Sequence, residues 1–314
     1  MPGALTRREF LGAAGAGAAA LASRPALGAP QGAGMFVSLN GALTAGKNVG
    51  WPEFARLAAR TGYGGVDWSL GPAKTAGLDA TRALFAELRL TPTIVNLPVQ
   101  TGRGDDGAYR SSLAPLQEDA QFCAAAGCSK MMSVLSPSHP LPKAEWRPRY
   151  RDRIAAAAEV LQRSNIRLGL EFLGVQQFRT RPNTHPFIWE MAEAVELAKE
   201  CGANVGVVLD AWHWHHAGST VQDILYAGKS RIVHVHVSDA RAQPPEDVRD
   251  NQRLMPGEGI IDLAGFFRAL QSIGYDEGVS PEPLGRVPAE MTAEEAARLG
   301  LETTTAAMRQ AGVI

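Results

Sequence analysis

The sequence lacks an excess of charge of either sign, a phosphate-binding glycine motif and a long apolar run. Its 31 Lys and Arg residues nearly balance 32 Asp and Glu residues, so no broad positive field attracts nucleic acid or anionic lipid. Neither Gly-x-Gly-x-x-Gly after the first predicted strand nor Gly-x-x-x-x-Gly-Lys-Ser/Thr occurs, which argues against nucleotide binding. Beyond the N-terminal region, no segment offers the roughly 20 uninterrupted apolar residues of a membrane span.

Cysteine is also scarce, because only Cys123, Cys128 and Cys201 occur among the 314 residues. Their number is odd and their spacing is not that of a metal site. All three fall in segments with helical patterning. We therefore predict ordinary buried thiols.

Residues Met1 to about Pro30 resemble a bacterial twin-arginine signal peptide. Thr6–Leu11 reads Thr-Arg-Arg-Glu-Phe-Leu, an Ala- and Gly-rich apolar run extends to Leu21, and Ala26–Ala29 has the small residues of a cleavage region. The alternative is an Ala-rich terminal helix that stays attached. We expect export to the periplasm by the twin-arginine (Tat) machinery, leaving residues 31–314 as the folded, membrane-free domain.

Short apolar runs alternate with amphipathic segments through residues 31–314. The predicted strands are Met35–Asn40, Gly65–Ser69, Thr93–Asn96, Lys130–Leu135, Arg167–Phe172, Val205–Asp210, Ile232–Ser238 and Gly278–Glu282. The predicted helices are Trp51–Arg60, Thr81–Leu88, Leu116–Ala126, Arg149–Arg163, Phe187–Cys201, Val221–Gly228, Leu263–Ile273 and Ala293–Arg309.

Eight strand–helix units favour a single-domain α/β fold, the (β/α)8 TIM barrel. Strands that alternate with helices pair in parallel, and eight units suit barrel closure. An open doubly wound sheet is the structural alternative. The long loops Leu97–Ser112, Ser136–Pro148 and Asp239–Gly259 all follow strands, on the face where barrel enzymes build their sites.

Polar residues close four of the otherwise apolar strands: Glu171, Asp210, His236 and Glu282. Barrel closure directs these strand ends to one mouth, where three carboxylates need a cation to offset their charge. Each acid taken alone could equally cap a helix or pair with an arginine. His234 points to the same side of its strand as His236, and we choose His236 because it lies nearer the C-terminal end.

The motifs that carry these residues resemble the xylose isomerase-like barrel superfamily, in the branch of sugar phosphate isomerases/epimerases and endonuclease IV. They are Leu168-Gly-Leu-Glu171, Val208-Leu-Asp210-Ala-Trp-His213, His234-Val-His236-Val-Ser-Asp239, Pro256-Gly-Glu-Gly259 and Ser280-Pro-Glu282-Pro, and they arrive in the family's order. The resemblance runs from about Met35 to the C-terminus.

The resemblance implies one divalent metal ion bound by Glu171, Asp210, His236 and Glu282, with Mn²⁺, Mg²⁺, Co²⁺ or Zn²⁺ as candidates. One nitrogen and three oxygens favour Mn²⁺ on ligand chemistry. Glu171 and Glu282 would also move the proton next to a sugar carbonyl, through an enediolate.

The resemblance also implies substrate contacts at His213 and Arg253, although either could be an ordinary surface or loop residue. Trp212 and Trp214 are candidates for an apolar wall against the sugar, and aromatic loop anchors are the alternative.

Several functions remain open within this superfamily. The sequence has Trp68-Ser69, Asn96 and Ser136 where apurinic endonucleases carry extra zinc-binding histidines, and Asn251-Gln252-Arg253 replaces a further ligand pair, which disfavours DNA repair. An exported enzyme would meet non-phosphorylated carbohydrate. We therefore expect a sugar isomerase/epimerase, with a lyase or dehydratase of keto-sugars or 3-keto-glycosides and a non-catalytic sugar-binding barrel as alternatives. The sequence leaves a homo-oligomer open.

Overall fold

Eight parallel strands close into one barrel in the computed structural model, which describes residues 34–102 and 105–314. The barrel strands are β1 (Phe36–Leu39), β2 (Gly65–Asp67), β3 (Thr91–Asn96), β4 (Lys130–Leu135), β5 (Arg167–Phe172), β6 (Val205–Asp210), β7 (Ile232–Val237) and β8 (Gly278–Pro281). Each strand pairs in parallel with its neighbours in sequence, and β8 pairs with β1. The predicted TIM barrel is confirmed.

Helices surround this barrel. They are α1 (Glu53–Thr61), α2 (Leu70–Ala76), α3 (Leu78–Leu88), α4 (Asp106–Leu113), α5 (Leu116–Ala125), α6 (Lys143–Gln162), α7 (Gln176–Arg179), α8 (Met191–Cys201), α9 (Ala211–His216), α10 (Val221–Arg231), α11 (Leu263–Ser272) and α12 (Ala293–Ala311). In the described ranges none of them is long and apolar enough to cross a membrane. The predicted leader, Met1–Pro30, lies outside the described residues.

Two predicted helices begin at different residues in the structure. The helix expected from Phe187 begins at Met191, because His185–Pro186 pairs with Ser138–His139 in a two-stranded antiparallel ribbon and the Phe187 amide donates to the Pro137 carbonyl. The helix expected from Arg149 begins at Lys143 instead. Pro148 is tolerated there because it removes only one backbone hydrogen bond near the first turns.

The sequence patterns missed four short helices: α2, α4, α7 and α9. Two of these helices, α4 and α9, lie where we expected loops. The long segment after β3 contains α4, and His213 lies on α9 rather than in an open loop. Cys123, Cys128 and Cys201 are buried and unpaired, as predicted.

The side chains inside the barrel form an ion pair at one end of its axis and a hydrogen-bonded polar layer above it. Lys130 and Glu277 form an ion pair at the N-terminal end. Above them, the side chains of Ser38, Thr93 and Ser280 hydrogen-bond to the Asp67 carboxylate. The residues that end β5 to β8 lie above this layer, at the C-terminal mouth, where barrel enzymes bind their substrates.

Candidate metal and active site

The barrel brings the four predicted ligands to one place. Glu171, Asp210, His236 and Glu282 come from four successive strand ends, and their candidate ligand atoms all lie within 4.8 Å of one another. Strand register produces this arrangement, because Asp210 pairs with His236 across β6 and β7, and the Glu282 amide donates to the Val237 carbonyl.

His236 lies at the centre of the cluster. Its Nδ1 is 2.8 Å from Glu171 Oε1 and 3.6 Å from Glu282 Oε2. Its Nε2 is buried and has no hydrogen-bond partner among the described residues, with Asp67 Oδ2 at 3.7 Å. One imidazole edge therefore faces the acidic cluster and the other faces the polar layer below.

His234 lies deeper in the barrel than His236, as the sequence predicts. Its Nε2 is 2.9 Å from Ser280 Oγ and 3.4 Å from Asp67 Oδ1. His234, His236 and Asp67 form a second group with converging ligand atoms. Asp67 also accepts from Thr93 at 2.6 Å and Asn40 at 3.0 Å, so its oxygens are already engaged by protein donors.

Arg253 reaches the cluster from the loop after β7. One guanidinium nitrogen donates to Asp210 Oδ2 at 2.8 Å and to Glu282 Oε2 at 2.9 Å. The other donates to Asp250 Oδ1 at 2.8 Å and lies 3.2 Å from His213 Nε2. The guanidinium is almost fully buried, so Arg253 is a built part of the site and not a solvated loop residue.

Asp239 holds the loop that carries Arg253. Its carboxylate accepts from the backbone amides of Gly257, Gly259 and Ile261 at 2.9–3.0 Å. The Asp239 backbone also pairs with Leu254 in both directions. At Gly259 an added Cβ would lie 2.2 Å from a backbone oxygen, so the close turn of this loop requires glycine.

Burial and charge together set the protonation of the cluster. Burial alone would lower the pKa of His236, but the carboxylates of Glu282 and Glu171 raise it to about 10. Burial raises the pKa of Glu282 to about 7 despite His236 and Arg253 nearby. Burial opposes ionisation of Asp210, but Arg253 together with His213 and His236 outweighs it and holds the pKa of this carboxyl below its usual range. The cluster therefore favours additional positive charge.

The four residues fit a divalent cation. Ligands about 2.0–2.6 Å from one ion lie up to about 4–5 Å apart, and the 4.8 Å limit on their separations falls in that range. Carboxylate and imidazole ligands suit Mn²⁺ and Zn²⁺ among others. Arg253 already pairs with Asp210 and Glu282, but once His236 is neutral, as a metal ligand must be, this single guanidinium balances only one of the three carboxylate charges.

A cavity of about 310 Å³ opens beside the cluster. Glu171, His236 and Glu282 are among its lining residues, together with the apolar side chains of Ile94, Met132 and Val134. Val134 pairs with Glu171 across β4 and β5 and is 47% exposed, which is unusual for a large apolar strand residue. The remaining lining residues are Asn40, Gly41, Asp67, Trp68, Ser69, Val95 and Asn96.

Trp212 and Trp214, the predicted wall against the sugar, do not line this cavity, and their contact with substrate stays a prediction. Trp214 donates its indole N–H to the Thr220 carbonyl and packs against Phe266 at 5.4 Å, because α9 directs it toward α11. Trp212 is buried beneath the Arg253 guanidinium, 5.5 Å from the ring centre. Among the described residues that line the cavity, the aromatic one is Trp68.

His213 lies inside the site, yet it does not line the cavity. It is buried, and its Nε2 is 3.7 Å from Asp210 Oδ2 and 3.9 Å from Asp250 Oδ1. Burial lowers its pKa, which favours the neutral ring. His213 therefore contacts Arg253 and lies close to Asp210 without reaching the cavity. Its predicted direct contact with substrate stays untested.

Sequence reasoning missed Asp67, Asp250 and Trp68 as parts of the site. Asp67 ends β2 just as Glu171 and Asp210 end their strands, so the same strand-end criterion could have found it. Asp250 and Trp68 carry no comparable signal, because a loop carboxylate and a tryptophan after a short strand are common outside functional sites.

Comparison with known proteins agrees with this geometry. The model of the xylose isomerase-like TIM barrel family matches residues 55–304, and the chain belongs to that family. A xylose isomerase domain protein from Alicyclobacillus acidocaldarius is 30% identical, with a TM-score of 0.80 over 88% of this chain and 99% of that one.

Two further relatives are more distant. Inosose isomerase from Bacillus velezensis is 26% identical over 223 residues, which cover 71% of this chain and 77% of the relative. The IOLI protein, solved with a bound zinc atom, is 24% identical, with a TM-score of 0.74 over 88% of this chain and 99% of that one. The similarity to the IOLI protein is evidence for a shared fold alone.

Proposed function

We propose that this protein is a divalent-metal-dependent isomerase or epimerase of a non-phosphorylated keto-sugar or sugar derivative. The observation that carries the proposal is the placement of two glutamates, Glu171 and Glu282, against one histidine at the edge of an open cavity. The similarity to inosose isomerase, an enzyme of the same reaction class, supports it.

The proposed chemistry has two parts, metal binding and proton transfer, and Glu171 and Glu282 take part in both. When bound, a divalent cation polarises a carbonyl and its neighbouring hydroxyl and so acidifies the C–H between them. One of the two glutamates removes that proton, which gives an enediolate, and the other delivers a proton to it. Glu171, Asp210, His236 and Glu282 would hold the ion, and Mn²⁺ remains our prediction for its identity.

The charges around the cavity support a substrate without phosphate. No lysine or arginine is among the described residues that line it. Arg253 adjoins the cluster, but Asp210, Glu282 and Asp250 already engage its donors. A phosphate would normally be met by free arginine or lysine side chains. The proposed export by the predicted leader, which would keep the enzyme apart from cytoplasmic sugar phosphates, agrees with this.

Substitution of the two glutamates tests the proposal. In D₂O, NMR should show deuterium entering the position next to the carbonyl of a keto-sugar such as an inosose. Glu171→Gln and Glu282→Gln should each slow that exchange by about 10²–10⁴-fold, the usual contribution of a positioned acid or base. Native protein should contain about one divalent ion per chain, as one four-ligand site requires.

Glu258→Gln is the matched control, because Glu258 bonds to Arg286 on the same face of the barrel but outside the cavity beside the cluster. Circular dichroism should show the same fold for all three variants. Unchanged exchange in both Glu171→Gln and Glu282→Gln would remove their proposed role. An isomer of equal mass identifies an isomerase, whereas loss of water or of a fragment identifies a lyase.

A further inference from the structure

A second cavity adjoins the one beside the acidic cluster. It has a volume of about 480 Å³, and Trp68, Ser69 and Asn96 line both cavities. The two spaces therefore meet along one edge, at the ends of β2 and β3. From there the second cavity extends toward Lys74 and Asp119, away from the proposed metal ligands.

The first cavity alone is large enough for one sugar ring. Its volume of about 310 Å³ is at the lower limit of the roughly 300–1,000 Å³ that small-molecule pockets occupy. A keto-sugar that reacts beside Glu171 and Glu282 leaves the second cavity unfilled. This additional volume suits a group attached to the sugar.

The walls of the second cavity favour an uncharged, partly apolar group. Trp68, Leu70, Leu97 and Pro98 supply its apolar surface. Lys74 and Asp119, its two charged residues, form an ion pair with each other. Opposite charges that neutralise one another offer little attraction for an ionic ligand.

The Trp68 ring is held firmly enough to act as a wall. It packs edge-on against Phe85 with ring centres 5.5 Å apart and lies 5.9 Å from Trp51. Its backbone amide donates to the Ile94 carbonyl. A fixed aromatic ring that is shared by two adjoining cavities can contact both a sugar and a second ring attached to it.

We propose that this second cavity is a subsite for an uncharged, ring-sized substituent of the sugar, such as the aglycone of a glycoside. The proposal relies on the proposed function only to orient the sugar toward the glutamates. It predicts that substituted sugars bind better than the sugar alone, because the attached ring covers exposed apolar atoms of Pro98 and the accessible edges of Trp68 and Leu97.

Two variants can fill the subsite without touching the cluster. Gly71 and Pro98 line the second cavity but not the first, and an added Cβ at Gly71 meets no heavy atom within 4 Å. Gly71→Trp and Pro98→Trp therefore place a large ring at either side of this space. Gly71→Ala is the matched control, because Gly71 has no side chain in the subsite to lose.

Ligand-observed NMR of metal-loaded protein measures the effect with the non-reacting probes phenyl and methyl β-D-glucopyranoside. Native protein should transfer saturation to the phenyl protons. At least one tryptophan variant should weaken phenyl glucoside binding by about tenfold, which corresponds to about 1.4 kcal/mol. Methyl glucoside binding by every variant, and phenyl glucoside binding by Gly71→Ala, should change less than about twofold on the same scale.

Absence of saturation transfer to the phenyl ring in native protein would overturn the subsite, and so would phenyl glucoside binding by both tryptophan variants that is as tight as binding by Gly71→Ala. These results are independent of deuterium exchange. Phenyl binding that the tryptophan variants block, in a protein that exchanges no keto-sugar proton, would leave the subsite standing and refute the proposed reaction.

Discussion

The two halves of the barrel mouth differ in charge. The half formed by β5 to β8 carries Glu171, Asp210, His236 and Glu282, tied together with Arg253. The half formed by β1 to β4 presents mainly neutral side chains to the cavity, including an exposed Val134. In the proposed reaction, the charged half would supply the metal ligands and the proton transfer, and the neutral half would contact the rest of the substrate.

The largest expected effect comes from breaking the charged half. Arg253→Met removes the buried partner of Asp210 and Glu282, and an uncompensated buried charge costs about 3–5 kcal/mol. Urea denaturation of metal-free protein should show that loss in the free energy of unfolding. Arg286→Met, which breaks a partly exposed pair with Glu258, should cost at most about 1 kcal/mol. Equal losses in the two variants would contradict the distinction.

A smaller effect is expected from the loop that brings Arg253 to the charged half. Asp239→Asn weakens charge-assisted hydrogen bonds to the amides of Gly257, Gly259 and Ile261. Such bonds contribute about 1.5–3 kcal/mol, so thermal unfolding should report a loss of that order. Asp262→Asn is the control, because Asp262 caps α11 and Asn caps a helix about as well as Asp. An equal loss of stability in Asp262→Asn would show that the hydrogen bonds of Asp239 to this loop do not stabilise the fold more than an ordinary helix cap does.

The smallest effect should appear in the neutral half. Val134→Thr changes a half-exposed side chain at the cavity, so the free energy of unfolding should move by no more than about 0.5 kcal/mol. Val208 is fully buried on β6, two strands from Val134, and Val208→Thr should cost about 1–3 kcal/mol because it buries a hydroxyl. Chemical denaturation compares the two. A similar cost at both positions would mean that Val134 does not face open space.

Much of the charged half could be predicted from the sequence. Glu171, Asp210 and Glu282 each interrupt or end an apolar strand, and a strand end in a closed barrel has a known direction. The choice of His236 over His234 followed from the two-residue strand period. The resemblance placed Arg253 at the site, but its ion pairs with Asp210 and Glu282 could not be predicted, because a 21-residue loop, Asp239–Gly259, has no periodicity that fixes its path.

The sequence alone therefore determined the barrel, the order of its strands and which polar residues meet at its mouth, since strand–helix alternation and strand-end position are local signals. Only the tertiary structure decided that Trp68 lines the cavity while Trp212 and Trp214 turn away, and that Arg253 binds Asp210 and Glu282. Those features depend on helix packing and on a loop held by Asp239. Contacts between residues distant in the chain arise from packing geometry, which no local sequence pattern encodes.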